Sequence, residues 1–321
     1  MANPTPIVES TSLREVFGKT LVDLALKYEF LVTDADVAGG TGVHHFRDKL
    51  PDRFYQCGIA EQSLMCISAG LNIATDMPVF ATTFATFAMR GWEQARLSIA
   101  YPERNVKIVA SHCGLDTGED GASAQEVSDL ACWTAMPNMV VISPCDAYEM
   151  RQATEAILQY DGPVYMRTGR SLCRKVYDSN YQFEIGRGHI VKEGRDVTIV
   201  ACGKMVYYAL QAANELEEEA VSARVVNMST IKPIDVGLLF DVAENTTYGF
   251  VTCEDHNIIG GLGSAVAEVL ATKMSGCILP LEKVGIKDVF GESGGPEELM
   301  DKYGLSVPHI KQAVERLVAG G

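Results

Sequence analysis

Short apolar runs alternate with longer amphipathic stretches along the first half of the chain. Each apolar run has the length of a buried β-strand, and each amphipathic stretch has the apolar spacing of an α-helix. The predicted strands are 30–32, 53–57, 78–80, 106–110, 139–142 and 163–167, and the predicted helices include 12–28, a helix that begins at Glu61, and 83–100. This alternation is typical of α/β domains with a mostly parallel sheet.

The second half repeats the alternation after a charged segment. Strands are predicted within 186–192 and at 197–202, 223–228, 248–253 and 278–284, with helices at 205–219, 235–244 and 260–274 and two more near the end. We therefore predict an α/β protein with two doubly wound domains. Their predicted bounds are 1–175 and 196–321, joined by a linker at 176–195.

Composition limits the partners and the compartment. The 321 residues are 47% hydrophobic, which is enough for two cores, and the net charge of −15 argues against nucleic acid as a partner. No apolar run reaches membrane-spanning length, and Met1-Ala2-Asn3-Pro4 lacks the basic and apolar regions of a signal peptide. The nine cysteines are scattered without a CxxC pair, which favours reduced thiols in a cytoplasmic protein.

Glu61 is the first candidate for chemistry. It follows the predicted strand 53–57 and a turn at Gly58, so it lies at the strand end where open α/β sheets bind ligands. The same position suits a glutamate that only stabilises a helix N-terminus, because negative charge is favourable there. Position alone leaves both interpretations open.

Glycine-rich loops follow two other predicted strands, at 34–42 and at 111–125. Such loops let the backbone approach a ligand closely, although the signal is weak for the first loop by itself. The second loop is long for a compact domain, and long loops of this kind are usually functional. His44 and His45 follow the first loop, and we expect them at the surface.

Four segments resemble the transketolase and deoxyxylulose-phosphate synthase families. Segment 58–62 is similar to their GxxEQ motif, and Thr83-Phe84-Ala85-Thr86-Phe87 is similar to the start of TFxxFxxY. Segment 112–125 resembles HDxxxxGEDGPTHQ, and 254–265 resembles the C-terminal domain of transketolases. The resemblance spans nearly the whole chain and implies an enzyme that uses thiamine diphosphate.

The resemblance also implies a role for individual residues. In these families the glutamate matching Glu61 hydrogen-bonds the cofactor pyrimidine and favours the imino tautomer, whose exocyclic nitrogen takes the C2 proton. The implied catalytic residues are Glu61, His112 and Asp120, and the implied cofactor-binding residues are Asp36, Glu61, Phe84 and Phe87. Arg14, His112 and Arg167 are implied to bind the anionic end of the substrate, because a guanidinium suits a phosphate.

Two positions depart from the family pattern. Ala124 stands where the family has a histidine beside the donor sugar, and Arg90 stands where transketolases have a tyrosine. These departures leave open which ketose donor and aldose acceptor are used. The sequence also leaves open whether the substrate anion is a phosphate or a sulfonate.

The resemblance implies a partner chain as well. The family binds a divalent metal on the cofactor diphosphate through a GDG…N motif, whereas the related sequence here, Gly118-Glu119-Asp120-Gly121, belongs to the sugar-side loop. We therefore assign no metal ligands to this chain. We expect the C-terminal subunit of a split transketolase, in which an N-terminal subunit binds most of the Mg²⁺ or Ca²⁺ site, in an assembly of two copies of each subunit (α2β2).

The implied activity is transfer of a two-carbon ketol unit from a phosphorylated, or similarly anionic, ketose to an aldose. Two alternatives remain. The β subunit of a 2-oxo acid dehydrogenase shares the two-domain plan, although segments 118–121 and 256–263 favour a transketolase. A non-catalytic subunit could keep the fold, although it would not need an acid beside two aromatic residues.

Overall fold

The computed structural model describes residues 11–273 and 279–320. The predicted helix end at Met274, the predicted strand start at Ile278, Cys277 and the N-terminal segment 1–4 lie outside the described residues. Within the described part of the chain, no helix is both long enough and apolar enough to cross a membrane.

The regular elements alternate along the chain as the sequence predicts. The strands are β1 (Thr11–Ser12), β2 (Leu31–Asp34), β3 (Phe54–Gln56), β4 (Val79–Phe84), β5 (Val106–Ser111), β6 (Val140–Ile142), β7 (Val164–Thr168), β8 (Leu172–Cys173), β9 (His189–Lys192), β10 (Val197–Ala201), β11 (Ala223–Asn227), β12 (Thr230–Lys232), β13 (Gly249–Asn257) and β14 (Leu281–Ile286). The helices are α1 (Leu13–Leu24), α2 (Ala38–Thr41), α3 (His44–Lys49), α4 (Glu61–Thr75), α5 (Ala85–Ala88), α6 (Trp92–Ala95), α7 (Asp129–Thr134), α8 (Ala147–Gln159), α9 (Met205–Glu218), α10 (Val236–Glu244), α11 (Leu262–Lys273), α12 (Pro296–Lys302) and α13 (Val307–Gly320).

The first sheet has the strand order β12-β6-β7-β5-β4-β2-β3, and its strands are parallel except β12, which runs antiparallel to β6. One face packs against α1 and α8, where Phe17 and Met150 are fully buried. The other face packs against α4, where Leu64 and Met65 are fully buried. Successive side chains of a strand point to opposite faces of the sheet, and the buried strands carry apolar side chains on both faces. Helices therefore cover both faces of the sheet.

The second sheet has the order β14-β13-β10-β11-β9, with only β9 antiparallel to its neighbour among the described strands. Helices α9 and α13 cover one face through a cluster that includes Ala209 and Leu317. Helices α10 and α11 cover the other face, and their apolar cluster is continuous with that of α4 in the first domain. This arrangement confirms the predicted α/β class with two doubly wound domains.

Residues on opposite sides of the predicted domain bounds form hydrogen bonds with each other. Strand β12 comes from the second half of the chain, yet Thr230 pairs with Ile142 in the first sheet. The predicted linker is also packed, because Asp146 accepts hydrogen bonds from the backbone N–H groups of Val176 (2.9 Å) and Tyr177 (2.7 Å). The predicted linker also contains β9, which pairs with β11 in the second sheet.

The prediction of one continuous helix over residues 83–100 is wrong. Strand β4 continues to Phe84, and the segment then passes through α5, a 3₁₀ turn at Met89–Gly91, α6 and a π-helical turn at Arg96–Ala100. At Gly91 the backbone approaches the first turn of α4 so closely that an added Cβ would lie 2.8 Å from the Glu61 carbonyl oxygen. The 3₁₀ turn lies at this contact with α4.

Candidate functional site

Glu61 is the first residue of α4 and lies just beyond the carboxyl end of β3. Its side chain is buried, with 5% of the residue exposed, and its Oε1 lies 3.5 Å from Nη1 of Arg90. Among the described residues no protein group donates a hydrogen bond to the carboxylate within normal distance. The helix N-terminus favours its negative charge. A ligand that carries a hydrogen-bond donor can therefore reach an acceptor that no protein donor occupies.

Aromatic rings form a wall at the carboxyl ends of β4 and β5. The rings of Phe84 and Phe87 stack with their centroids 5.2 Å apart, and the imidazole of His112 stacks on Phe84 at 3.7 Å. The guanidinium of Arg90 lies 4.9 Å from the centre of the Phe87 ring. Both phenylalanines are half-buried, so their rings keep exposed surface against which a flat ligand can pack.

His112 follows β5 with a left-handed backbone conformation (φ 64°). Its Nδ1 lies 2.7 Å from Oγ of Ser111, and its Nε2 lies 3.8 Å from a carboxylate oxygen of Asp120. Burial, together with the positive charges of Arg14 and Arg170, lowers the pKa of His112 to about 3. The imidazole is therefore neutral near pH 7, and it can exchange hydrogen bonds with a ligand without carrying a charge.

Arg14 and Arg170 bring positive charge to this imidazole. Arg14 donates from Nη1 to the Gly40 carbonyl oxygen at 3.1 Å, and its buried Nε has no partner in the described part of the chain. Burial lowers the pKa of Arg14 from its ordinary value. Arg170 donates to Glu119 at 2.9 Å, and its Nη2 lies 3.5 Å from Asp120. The two charged side chains of Arg14 and Arg170 and the neutral imidazole of His112 form a group suited to an anion. We call these three residues the cationic group.

Arg167 does not join the cationic group, and the expectation that it binds a substrate anion needs correction. Its Nε and Nη2 donate to Asp129 at 2.8 and 2.5 Å, and its Nη1 donates to the Asp255 carbonyl oxygen at 3.1 Å. Arg167 shares a face of β7 with Tyr165, because side chains alternate along a strand, and Tyr165 also donates to Asp129. The side chain is thus held in a buried ion pair.

Arg170 is the residue that sequence reasoning missed. It comes three positions after Arg167, in the loop beyond the carboxyl end of β7, whereas Arg167 lies inside the strand. The available signal was this loop position, because ligands of α/β sheets bind beyond the strand ends. In the structure Gly169 permits a close approach to Asp116, because an added Cβ there would lie 2.9 Å from the Asp116 carboxylate.

Asp36 lies at the rim, between the ends of β2 and β3. Its carboxylate accepts a hydrogen bond from Nε2 of Gln56 at 3.2 Å, and its backbone N–H donates to Gln56 Oε1 at 2.9 Å. Two residues earlier, the buried carboxylate of Asp34 accepts from the Val37 N–H at 2.8 Å. The same loop carries Gly40, where an added Cβ would lie 2.4 Å from the Phe84 ring. The loop therefore lies directly against the aromatic wall.

The sequence matches the pyrimidine-binding domain of transketolase over residues 9–175 and the C-terminal domain of transketolase over residues 186–310. The chain belongs to the transketolase family. Membership of the pyrimidine-binding family implies thiamine diphosphate as the cofactor.

Individual transketolase relatives match over nearly their whole length. A Methanocaldococcus jannaschii protein named as a transketolase C-terminal section is 45% identical over 306 residues, which are 94% of this chain and 95% of that protein. A Clostridium sp. protein named as a 6-deoxy-6-sulfo-D-fructose transketolase subunit is 36% identical, covering 97% of this chain and 95% of that protein. A solved structure of a split gene transketolase, described as an inactive β4 tetramer, superimposes with a TM-score of 0.88 at 45% identity and covers 96% of this chain and 98% of that one.

The two positions that depart from the transketolase pattern, Arg90 and Ala124, differ from each other in their surroundings. Arg90 is mostly exposed and lies against both Glu61 and Phe87, so it borders the space beside the carboxylate. Ala124 is half-buried in the loop after Asp120, where its N–H donates to the Gly121 carbonyl oxygen at 2.9 Å.

One group of possible metal ligands occurs among the described residues. Ligand atoms of Glu15, His44 and His45 lie within 4.8 Å of one another. The Nε2 of His45 lies 2.8 Å from Oε2 of Glu15, and the two imidazole rings are 4.0 Å apart. Both histidines are half-buried, and the contact between His45 and Glu15 holds two of the three side chains together.

Proposed function

We propose that this chain is the C-terminal subunit of a two-subunit thiamine diphosphate-dependent transketolase. The proposed reaction moves a two-carbon ketol unit from an anionic ketose to an aldose. The observation that carries the proposal is the juxtaposition at the carboxyl ends of the first sheet: a buried carboxylate on Glu61 that accepts no hydrogen bond from the described residues, the rings of Phe84 and Phe87, and the cationic group.

The residues present fit the pyrimidine half of the cofactor. Glu61 offers a buried acceptor to a ring nitrogen, and Phe84 and Phe87 offer a flat apolar surface. When bound, thiamine diphosphate supplies the nucleophilic C2 carbon. The role of Glu61 is to hold the proton of the pyrimidine nitrogen, and the role of Asp36 is to border the thiazolium side from the rim.

The cationic group would receive the anionic end of the ketose. Arg14 and Arg170 supply charge, and neutral His112 supplies a hydrogen bond from Nε2. Asp120 lies 3.8 Å from that Nε2 and is partly exposed, so it can accept a hydrogen bond from a donor hydroxyl. We assign the catalytic role to Glu61, His112 and Asp120, and we replace Arg167 with Arg170 in the anion-binding set.

The diphosphate half of the cofactor requires a second subunit in this proposal. We assign Mg²⁺ or Ca²⁺ to an N-terminal partner subunit, because the GDG…N motif that binds the metal in this family is matched here only by segment 118–121 of the sugar-side loop. We propose an α2β2 assembly, because one relative is named as a subunit and another as a C-terminal section. The eight cysteines in the described part of the chain are free thiols, which is consistent with a cytoplasmic enzyme.

The donor range tests this proposal. The complex with the N-terminal subunit is assayed for kcat/KM with xylulose 5-phosphate, with sulfonated and other unusual ketoses, and with pyruvate and branched 2-oxo acids. The expected result is ketol transfer from an anionic ketose, with Ala124→His shifting preference toward common ketose phosphates. Decarboxylation of 2-oxo acids without ketol transfer would instead favour a 2-oxo acid dehydrogenase. No turnover with any donor would favour a non-catalytic subunit.

A further inference from the structure

The substrate-side loop of the first domain is anchored by the second domain. The loop Leu115–Asp120 carries Asp120, and its start is fixed by Asp255 on β13. The carboxylate of Asp255 accepts hydrogen bonds from the N–H groups of Leu115 (2.9 Å) and Asp116 (3.1 Å). A Cβ at Gly114, where φ is +68°, would lie 2.3 Å from the Asp255 carboxylate, so glycine permits this close approach.

A buried ion pair makes a second connection between the domains. Lys204 precedes α9 in the second domain, and its Nζ donates to Oδ1 of Asp116 at 2.5 Å and to Oγ of Ser171 at 3.0 Å. The side chains of Lys204 and Asp116 are 14% and 5% exposed. Burial alone would raise the pKa of Asp116, but the charge and hydrogen bond of Lys204, together with the hydrogen bonds from Ser171, lower it. Lys204 is thus the counter-charge of a buried carboxylate.

Asp116 in turn fixes the backbone from which Arg170 extends. Its Oδ2 accepts hydrogen bonds from the N–H groups of Arg170 (2.9 Å) and Ser171 (3.0 Å), and its Oδ1 accepts a short hydrogen bond from the Ser171 hydroxyl. The Arg170 guanidinium then donates back to the Thr117 carbonyl oxygen and lies 3.5 Å from Asp120. Contacts therefore run without a break from Lys204 through Asp116 and Arg170 to Asp120.

We propose that Lys204 is a positioning residue for substrate binding, which acts from the second domain by holding Asp116 and, through it, Arg170 and Asp120. This inference rests on the proposed function, because it concerns the residues assigned there to the donor. Lys204 touches neither the cationic group nor the aromatic wall among the described contacts. Its effect is therefore on the placement of Arg170 and Asp120, and the Glu61 site should be unaffected.

Substitutions in the complex with the N-terminal subunit test this role. Lys204→Met leaves Asp116 buried without its counter-charge, and we expect KM for the anionic ketose to rise about 10- to 100-fold, because misplacement of a binding group by about 1 Å has effects of this size. The affinity for thiamine diphosphate should change less than about threefold, because the Glu61 site lies outside the contacts that Lys204 makes. Lys204→Arg keeps the charge, has a cavity of about 40 Å³ beside it, and should restore KM to within about fivefold of wild type.

Two comparisons separate positioning from a general structural role. Lys192→Met removes a half-buried lysine of the same domain, paired with Glu217 at 2.7 Å, and should leave KM unchanged. Asp116→Asn with Lys204→Met should be no worse than Lys204→Met alone, because the double variant leaves no unpaired buried charge. Losses that multiply in the double variant, or equal KM values in Lys204→Met and Lys192→Met, would overturn the proposal.

Hydrogen exchange gives a readout that does not depend on turnover. We expect the amides of Leu115, Asp116, Arg170 and Ser171 to exchange at least about tenfold faster in Lys204→Met than in wild type or Lys192→Met. Unchanged exchange would contradict the positioning role even if KM rises. If the wild-type complex shows no ketol transfer, the proposed function fails while this measurement still decides the role of Lys204. Lys204→Gln serves for both measurements if the methionine variant does not fold.

Discussion

Two arginines three positions apart, Arg167 and Arg170, differ in role because they differ in surroundings. Arg167 is inside a strand, and its guanidinium donates to buried Asp129 with two hydrogen bonds. Arg170 is beyond the strand end, and its guanidinium is partly exposed beside Asp120. A charge that is fully paired in a buried site contributes to folding, whereas a partly exposed charge near other cations can bind an anion.

We predict opposite phenotypes for the two arginines. Arg170→Ala should raise KM for the anionic ketose about 10- to 100-fold, since one charge-assisted hydrogen bond is lost, and should hardly change the free energy of unfolding. Arg167→Ala should lower the free energy of unfolding by about 3–5 kcal/mol, because Asp129 is left buried and unpaired. Urea unfolding and steady-state kinetics check both values, and Arg187→Ala, at an exposed ion pair, is the control. A folded, stable Arg167→Ala with a selective KM defect would restore the original assignment.

Burial and two neighbouring arginines determine the charge state of His112. Burial, Arg14 and Arg170 oppose its protonation, whereas Asp116 favours it, and Asp120 lies at 3.8 Å. In the unfolded chain the imidazole takes up a proton below its ordinary pKa of 6.5, but in the folded chain it stays neutral until pH about 3. Stability from His112 is therefore complete above pH 6.5 and is lost as the pH falls between these values.

This difference predicts a pH-dependent stability. Between pH 7 and pH 5 the wild-type chain should lose about 2 kcal/mol more unfolding free energy than His112→Asn, because each pKa unit corresponds to about 1.4 kcal/mol. Asparagine is the suitable replacement, since it tolerates the left-handed backbone found here. Urea unfolding of the isolated chain at both pH values measures the difference. Equal losses in the two proteins would contradict this prediction, because they would show that the pKa of His112 is the same in the folded and the unfolded chain.

At the scale of elements, the packing of α4 against the segment around Gly91 fixes the position of Glu61. The 3₁₀ turn Met89–Gly91 meets the first turn of α4, and an added Cβ at Gly91 would lie 2.8 Å from both the Glu61 carbonyl oxygen and Cγ of Met65. A backbone atom cannot move aside as a flexible side chain can. This close approach therefore fixes the position of the first turn of α4, and with it the position of Glu61.

Two glycine substitutions test this packing. Gly91→Ala should lower the free energy of unfolding by about 1–3 kcal/mol and reduce kcat at least about tenfold, because it displaces the first turn of α4. Gly70→Ala in the same helix meets no atom within 4 Å and should stabilise the chain by about 0.5–1 kcal/mol with unchanged kcat. Thermal unfolding and kinetics of the complex measure both. Normal kcat in Gly91→Ala would mean that Glu61 is positioned by other contacts.

The elements also show what the sequence could predict. Alternating apolar runs predicted both sheets and the start of α4 at Glu61, because strand and helix periods are local properties. The broken segment 85–100 was missed, since its turns depend on a tertiary contact at Gly91. The resemblance to family motifs assigned His112 and Asp120 to the same site, but it also assigned Arg167 to that site. Only the surrounding Asp129 and Asp255, distant in sequence, determine that Arg167 is unavailable.

At the scale of the whole molecule, the second domain contributes to the site without reaching it. Strand β12 extends the first sheet, and Asp255 and Lys204 hold the loop that carries Asp120. These contacts are long-range in sequence, so no local pattern could predict them. In our proposal this site takes the pyrimidine half of the cofactor and an anionic substrate, and a partner subunit binds the diphosphate and its metal.

Reconstitution with Glu61→Gln tests the central claim most directly. The chain, alone and mixed with the N-terminal subunit, is assayed for ketol transfer from a ketose phosphate with thiamine diphosphate and Mg²⁺. We predict no turnover by the chain alone, turnover by the mixture, and a loss of more than about 100-fold with Glu61→Gln, since a positioned acid–base group contributes at least that much. Glu93→Gln, at an exposed glutamate nearby, should retain the wild-type rate. Turnover by the chain alone, or a near-normal rate with Glu61→Gln, would contradict the account.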